Sequence, residues 1–413
     1  MNEDETLYQS DDNFNLSLAQ MKLLDILGHY PETTDVNIAK SVGYRYYNYV
    51  STVKNKILKP RGYLSGPNYW ININKISNNK VNRLIFIILF NKQYDYQKMI
   101  DILKNIECWS YFYPLEESNF NQLMACIYST DNKQLIDIFD YLLKENIIFY
   151  YNVYELKEQY KVFNPYYIKN DKKELLTPLT TKKLYISDKI DDELSNFYQI
   201  DENNKKNNIL SLLDTRIIMH LQSSNLNCEL SKLMKKDANI INEKGDRPYL
   251  FGYNSWRYSY EKLKTKNIMK KYYTIYPLPK NKCSHFFIFL KGTNDANTKI
   301  LASSVGKESR VLRAGSYVKS LNKDDYGDYY WCVHVRSHPL YKEKILDLLE
   351  LPIVENKIRY NIRAINPDML PYAKYYNHQS ISLEEKYYNT ETALINYNYK
   401  EYKRNIVNFL NRN

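Results

Sequence analysis

The sequence predicts an α+β fold: two winged helix-turn-helix domains, each followed by a ferredoxin-like βαββαβ domain, with a helical C-terminal tail. Three observations predict it. A helix-turn-helix pattern followed by extended runs occupies residues 17–73. Strand and helix patterns then follow in the order β-α-β-β-α-β, which defines the ferredoxin-like unit. The same succession of patterns returns over residues 209–365, which indicates one unit used twice.

At 413 residues the chain is long enough for several domains, each with its own core. Its patterns divide it into seven parts: a flexible arm (1–15), winged helix-turn-helix 1 (16–76), ferredoxin-like domain 1 (80–157), a linker (158–208), winged helix-turn-helix 2 (209–278), ferredoxin-like domain 2 (283–366) and a helical tail (367–413).

The first head, residues 16–76, has three predicted helices. Leucines recur at helical spacing over residues 17–27, Thr34 can cap a second helix over 35–42, and Gly43 supplies the turn before a third over 45–58. Pro60 ends that helix. The extended runs on either side of Ser65-Gly66-Pro67 predict a hairpin wing over residues 63–73.

The third helix of this head has two unlike faces. Apolar residues recur on one face, at Tyr46, Val50, Val53 and Ile57, and are expected to pack inward. The opposite face carries no acid and suits DNA. There we expect base contacts from Arg45, Asn48 and Thr52, phosphate contacts from Lys56, Lys59 and Arg61, and a further DNA contact from Asn55. A solvated face used for protein contacts is the alternative.

The second head, residues 209–278, repeats this arrangement. A short second helix is predicted over 228–235, an insertion over 238–252, and a third helix over 256–266 with Trp256, Tyr260 and Leu263 inward. A wing is predicted to begin at residue 270. The expected DNA-binding residues are Arg257, Tyr258, Lys262, Thr265, Lys270 and Lys271.

Composition narrows the class of protein. The net charge of +11 and the pI near 9.0 favour a polyanionic partner, here double-stranded DNA. Five cysteines without a C-x-x-C pair indicate a reducing compartment. The start is acidic and does not resemble a signal peptide, and the longest apolar run, 84–90, is too short to span a bilayer. We therefore expect a cytoplasmic protein.

The element order resembles the Lrp/AsnC (feast-famine) regulators of archaea and bacteria, and the segment I-A-K-S-V-G-Y at residues 38–44 resembles their helix-turn-helix core. The resemblance implies that the two βαββαβ units pair within one chain as a pseudo-dimer. It leaves open whether two chains form a homodimer and whether an amino acid binds as an effector. The apolar residue that the family usually has after the turn is shifted here. The family's effector loop has no good match at 114–119. Residues 323–328 match it better, although their simple explanation is a hairpin turn.

Enzymatic alternatives rest on a few residues. Haem-pathway decarboxylases resembling this family share the fold, and His334 and Arg336 lie two apart on one predicted strand, with His338 after them. Structural histidines are the competing explanation. Cys283 and His285 lack the second ligand pair of a zinc site. No glycine-rich phosphate loop and no G-x-S-x-G motif is present.

The sequence therefore predicts a sequence-specific transcription regulator that is not an enzyme and uses no cofactor or metal. The alternatives are a haem-pathway decarboxylase-like enzyme, a plasmid or viral replication initiator, and a protein-interaction module whose winged helices no longer bind DNA.

Overall fold

The fold is described from a computed structural model. It describes residues 16–116, 121–160, 196–199, 209–223, 230–244, 251–294, 296–298, 310–339, 354–362 and 386–412, and the single positions 165, 167, 342, 383 and 384. The two helices that the β-α-β-β-α-β pattern predicts in ferredoxin-like domain 2, over 295–303 and 339–349, lie largely outside these residues, as does most of the linker. In the part that is described, no helix has the length and apolarity needed to cross a membrane.

The first head packs three helices around an apolar core that includes Leu23, Leu24 and Val50. Ser17 forms a capping box with Gln20 at the start of the first helix. Gly43 ends the second helix with a φ of 86°, a conformation that a residue with a Cβ adopts only with strain. The helices are α1 (Leu18–His29), α2 (Asp35–Val42) and α3 (Tyr47–Thr52), and α3 continues as a π-helical turn over Val53–Leu58.

The second head has the same order but a partly polar core. The fully buried Asp214 accepts hydrogen bonds from the Ser259 hydroxyl and the Lys262 amine, and His220 contacts Asp237 at 2.9 Å. Its helices are α6 (Leu212–Ser223), α7 (Leu230–Lys244) and α8 (Tyr253–Thr265), numbered after two helices of the intervening domain. The expected insertion is therefore partly wrong, because α7 continues through residues 238–244.

The two heads exchange strands instead of forming separate wings. Strand β1 (Leu64–Ile71) pairs antiparallel with β7 (Met269–Ile275). Tyr273 and Ile275 of β7 lie in the core of the first head, and Tyr69 and Ile71 of β1 lie in the apolar cluster that contains the α6 side chains. The predicted wing hairpin over 63–73 is thus wrong, because its extended residues form one strand whose partner is about 200 positions away.

Each half then contains a ferredoxin-like sheet. In the first, the strand order is β5-β2-β4-β3, and in the second it is β11-β8-β10-β9, so the two orders correspond strand for strand. The elements of the first are β2 (Asn82–Phe90), α4 (Tyr96–Lys104), β3 (Trp109–Glu116), β4 (Asn121–Ser129), α5 (Asn132–Lys144) and β5 (Ile148–Tyr160). Those of the second are β8 (Ser284–Gly292), β9 (Leu312–Ser320), β10 (Tyr329–Ser337) and β11 (Val354–Ile362).

The two sheets join edge to edge into a closed ring. β3 pairs with β11, β5 pairs with β9, and β2 pairs with β5, so eight strands close on themselves, while β6 (Asn196–Gln199) adds to β5 outside the ring. The inner face holds an apolar core from both halves, for example Ile85, Met124, Phe289 and Val318. The predicted α+β fold class, with a helix-turn-helix head before each ferredoxin-like sheet, is confirmed.

The tail packs on the first half. Its short strands β12 (Tyr388–Asn389) and β13 (Leu394–Ile395) precede α9 (Tyr399–Arg412), which contacts α4 and α5. The Tyr399 hydroxyl accepts hydrogen bonds from the backbone N–H groups of Thr130, at 2.8 Å, and Asp131, at 3.3 Å. The predicted tail (367–413) does contain a helix, and within the described residues this helix begins at Tyr399.

Candidate active site

Two neighbouring strands of the second half place three basic side chains together. In the antiparallel pair β8–β10, His285 lies opposite Arg336, and Phe287 lies opposite His334. Alternate residues of these strands, including Phe287, Phe289 and Cys332, form the inner core of the ring. Because side chains alternate between faces, His285, His334 and Arg336 belong to that inner face. They lie near the beginning of β8 and the end of β10.

The three side chains contact each other directly. The Arg336 Nε donates to His285 Nε2 at 3.2 Å, and His285 Nε2 also hydrogen-bonds His334 Nε2. A nitrogen that accepts from a guanidinium carries no proton, so neutral His285 holds its hydrogen on Nδ1. The hydrogen of the contact between the two imidazoles therefore belongs to Nε2 of His334, and His334 is the proton donor of the pair.

Aromatic rings surround this cluster. The Tyr113 ring lies 6.1 Å from both imidazole centroids, and Phe287 stacks on His334 at 4.5 Å. The Arg336 guanidinium lies 4.9 Å from the ring centroid of Tyr276, in the segment that follows β7. Tyr113 and Tyr276 are buried, whereas the three basic side chains are half-buried. The cluster therefore lies in a largely apolar setting.

Burial and charge fix the protonation states. Burial lowers the pKa of His285 well below its ordinary value, and the positive charge of Arg336, His334 and Lys280 lowers it further. Burial raises the pKa of Tyr113 to about 12, although Arg336 opposes that rise. At neutral pH the site thus contains an uncharged His285, a protonated phenol and a guanidinium cation. Such a site attracts a carboxylate and can supply a proton.

The predicted DNA-binding residues of the first head are accessible to different degrees. The exposed ones are Arg45, Asn48, Lys56 and Arg61, and the partly exposed ones are Thr52, Asn55 and Lys59. Arg45 precedes α3, and its guanidinium lies 5.2 Å from the Tyr46 ring. Tyr46 was expected to face inward, but it is 62% exposed and immediately precedes the helix.

In the second head, Arg257, Tyr258 and Thr265 are exposed on α8. Lys262 was expected to face outward, which is wrong, since its amine forms an ion pair with the buried Asp214. Lys270 and Lys271 do not lie on a wing, because both belong to β7 and pair with β1. Burial lowers the pKa of both amines. DNA binding by any of these residues stays a prediction.

Two other predicted features have local explanations. Within residues 323–328, the Asp325 carboxylate accepts hydrogen bonds from Ser320, at 2.7 Å, and Tyr330, at 2.9 Å, so it stabilises the hairpin between β9 and β10. The Cys283 thiol faces the carbonyls of Leu278 and Pro279, and burial raises its pKa to about 11. Among the described residues, no three His, Cys, Asp or Glu side chains come together to hold a metal ion.

Two solved structures are similar to the chain over almost its whole length. One is the siroheme decarboxylase NirDL in co-complex with an iron-uroporphyrin III analogue, with 9% identity, a TM-score of 0.47, and coverage of 95% of this chain and 99% of the other. The second is siroheme decarboxylase NirDL, with 10% identity, a TM-score of 0.45, and coverage of 96% and 99%. No family model matches this chain, and neither does any curated protein.

These matches correct one prediction. Both solved proteins are decarboxylases, which contradicts the expectation that this chain is not an enzyme. The assignment to the Lrp/AsnC regulators stays a prediction, because no family model matches. The sequence had paired His334 with Arg336 through their spacing, but it considered His285 only beside Cys283. The signal that was missing is the register between β8 and β10, which brings His285 to Arg336.

Proposed function

We propose that this chain binds a carboxylate-bearing tetrapyrrole at the end of the ring of strands where His285, His334 and Arg336 lie, and removes a carboxyl group from it as CO2. The observation that carries the proposal is the contact of His285, His334 and Arg336 on the inner face of β8 and β10. A histidine with a purely structural role needs only one hydrogen-bond partner. This cluster instead joins two imidazoles to a guanidinium beside an apolar core, a costly arrangement that an anionic ligand would offset.

The chemistry of the cluster suits a decarboxylation. In that reaction the bond between the carboxyl carbon and the side-chain carbon breaks, CO2 leaves, and the electron pair that stays on the side-chain carbon takes up one proton. Arg336 supplies a fixed cation that orients the carboxylate through charge-assisted hydrogen bonds. His334 supplies the proton from its imidazolium form, which holds one hydrogen on Nε2 toward His285 and a second on Nδ1 for the substrate carbon, and it is left as a neutral imidazole. His285 accepts that hydrogen bond and stays neutral because Arg336 and burial disfavour its charged form.

Tyr113 and Tyr276 have a supporting role. Their rings cover part of the cluster with apolar surface, which strengthens the attraction between the guanidinium and a carboxylate. The raised pKa of Tyr113 keeps its hydroxyl protonated throughout the neutral range, so it adds no negative charge that would repel a carboxylate.

The test is to incubate the purified full chain with siroheme and follow the product by mass spectrometry. Each removed carboxyl group lowers the product mass by that of CO2. The change Arg336→Gln should lower kcat/KM by roughly tenfold to a hundredfold, the value of a charge-assisted hydrogen bond. His334→Gln should lower kcat by roughly 10²–10⁴-fold, because it removes the proton donor.

The matched control is Arg404→Gln, which removes the same charge from an exposed position on α9. It should leave turnover unchanged. A wild-type chain that neither binds siroheme nor alters its mass contradicts the proposal. Equal activity of wild type and both site variants would show that the cluster is not the place of reaction.

We further propose, as a second function, that the first head binds double-stranded DNA and regulates transcription. The supporting observation is the exposed surface that contains Arg45, Asn48, Lys56 and Arg61 around α3, with no acid among the exposed residues of that helix. Binding should be selected from random duplexes at two salt concentrations. Arg45→Ala should cost about 1–3 kcal/mol at the selected site, and Lys56→Ala should weaken all sequences alike and reduce the salt dependence. No enriched sequence, with affinity no tighter than about 10⁻⁴–10⁻⁶ M, would refute it.

A further inference from the structure

The segment between β7 and β8 links the first head to the cluster of His285, His334 and Arg336. This connecting segment comprises residues 276–283. Its first residue, Tyr276, places its ring 4.9 Å from the Arg336 guanidinium, and its last residue lies two positions before His285. The connecting segment therefore contacts the proposed site at one end and is continuous with it at the other.

The connecting segment lies on the turn that ends the third helix of the first head. In this turn Gly62 has a φ of 78°, and its N–H donates to the Lys59 carbonyl at 2.9 Å. The Tyr63 N–H donates to the Leu58 carbonyl at 3.0 Å. These two bonds form the motif with which many helices end at a glycine. The helix itself thus fixes the conformation of the turn.

Two backbone hydrogen bonds join the turn to the connecting segment. The Tyr276 N–H donates to the Tyr63 carbonyl, and the Lys280 N–H donates to the Gly62 carbonyl, both at 3.0 Å. Between these two bonds, residues 277–279 are buried, and two of the three are prolines, whose φ is fixed by their ring. The connecting segment therefore has little freedom to adjust independently of the turn.

The Tyr276 ring has a fixed place beside Arg336. The buried Tyr167 hydroxyl donates to the Tyr276 carbonyl, so the N–H and the carbonyl of Tyr276 both have partners. The guanidinium near the ring also donates from Nε to His285 Nε2 at 3.2 Å. A cation is attracted to the face of an aromatic ring. The ring thus helps to set the direction of the guanidinium, and with it the direction of a carboxylate that Arg336 holds.

Gly62 is the point at which the turn and the connecting segment come closest. A Cβ at this position would lie 3.0 Å from the Lys280 backbone nitrogen and 3.6 Å from Pro279 Cα. The first distance is too short for a methyl carbon, and both neighbours are backbone atoms, so the connecting segment would have to shift. Gly43, in the same head, also has a positive φ, but a Cβ there would meet nothing within 4 Å. Substitution strains the backbone at both glycines, and only at Gly62 does it displace the connecting segment.

We propose that the first head is part of the active site, because its turn at Gly62 positions Arg336 through the ring of Tyr276. The inference rests on the proposed function. The turn holds the connecting segment, the connecting segment holds the ring, and the ring directs the guanidinium that orients the substrate carboxylate. A displacement of the ring would move the carboxylate relative to the proton of His334, and a misplacement of about 1 Å can lower a rate about a hundredfold. The helix-turn-helix head thus has a task in the reaction that does not involve DNA.

The test compares Gly62→Ala with the matched control Gly43→Ala in the full chain, with siroheme as the substrate. The kcat of Gly62→Ala should fall by roughly tenfold to a hundredfold, the cost of a misplaced reacting group. Gly43→Ala should keep the kcat of the wild type. Each kcat is referred to the folded fraction, measured by circular dichroism at the assay temperature, so that a loss of stability alone does not count as a loss of turnover.

Two further readouts separate positioning from general destabilisation. The first is a double-mutant cycle with Tyr276→Leu. Gly62→Ala should lower kcat much less in the Tyr276→Leu chain than in the wild type, whereas independent effects would multiply. The second is the NMR signal of the Arg336 Nε–H, assigned by its absence from Arg336→Gln and shifted by the nearby Tyr276 ring. Gly62→Ala should move this signal, and Gly43→Ala should not.

A second pair of variants serves if Gly62→Ala does not fold. Lys280→Pro removes the N–H that donates to the Gly62 carbonyl, at the first position of a 3-10 helical turn, where proline is tolerated. Lys280→Gln keeps that N–H and controls for the lost charge. Lys280→Pro should lower kcat and move the Arg336 signal more than Lys280→Gln does.

The outcomes distinguish this inference from the proposed function. If the wild type decarboxylates siroheme and the two glycine variants have equal kcat, or the effects in the cycle multiply, positioning by the first head is refuted while the proposed function stands. If Gly62→Ala moves the Arg336 signal but the wild type leaves siroheme unaltered, the proposed function fails, and with it the catalytic task of the turn, while the link between Gly62 and Arg336 is supported.

Discussion

The polar core of the second head leads to a specific prediction about the stability of that head. Asp214 is fully buried, accepts hydrogen bonds from Ser259 and Lys262, and accepts a third from the backbone N–H of Ser211 at 2.8 Å. The change Asp214→Asn keeps the shape of the side chain but removes its charge and leaves the half-buried Lys262 amine without its anion. Breaking a buried ion pair in this way costs about 3–5 kcal/mol.

Hydrogen exchange is the appropriate assay, because a chain with several domains need not unfold in one step. The amides of α6 and α8 should exchange roughly two to three and a half orders of magnitude faster in the variant, since about 1.4 kcal/mol corresponds to a factor of ten. The matched control in the first head is Asp35→Asn, which breaks the more exposed 2.6 Å pair between Asp35 and Lys54. That pair should contribute about 1 kcal/mol or less. If the two variants accelerate exchange equally, burial does not set the strength of the Asp214 network.

Two further predictions concern the ring and the tail. Because the pKa of His285 is depressed in the folded chain, the unfolded chain binds more protons between the two pKa values, and stability falls as pH decreases through about 6.5. Hydrogen exchange of the β8 and β10 amides, corrected for the intrinsic rate at each pH, should show the opening free energy falling by up to about 1.4 kcal/mol for each pH unit below that point. His285→Gln should lack this dependence, and identical pH slopes in the two proteins would refute the prediction. Tyr399→Phe removes the acceptor for the backbone N–H groups of Thr130 and Asp131, so the free energy that holds α9 on the first half should fall by about 1–3 kcal/mol. The tail should then be cleaved faster by a protease. An unchanged cleavage rate would contradict this prediction.

The ferredoxin-like units could be predicted from the sequence because their patterns are local. The apolar run over 84–90 and the capped helix after Asp131 need only their own residues to be recognised. The strand exchange between the heads could not be predicted in this way. Residues 64–71 are extended in both interpretations, and the difference is whether they pair with their own continuation or with β7.

For the same reason, only part of the candidate site could be predicted from the sequence. Spacing along one strand shows that His334 and Arg336 share a face. That His285 joins them depends on the register between β8 and β10, and a shift by one residue would turn His285 to the opposite face. Lys262 is a similar case, because its partner Asp214 lies 48 positions away on another helix.

The closed ring has a consequence for how such a chain can change over time. In an assembly of two identical subunits, every mutation appears at both symmetric positions, so a residue that helps one side is imposed on the other. Here the corresponding positions are encoded separately, as Arg83 and His285, Cys126 and His334, and Tyr128 and Arg336 show. Selection can therefore act on one side of the interior while the opposite side keeps its own residue, and a symmetric scaffold can carry an asymmetric site.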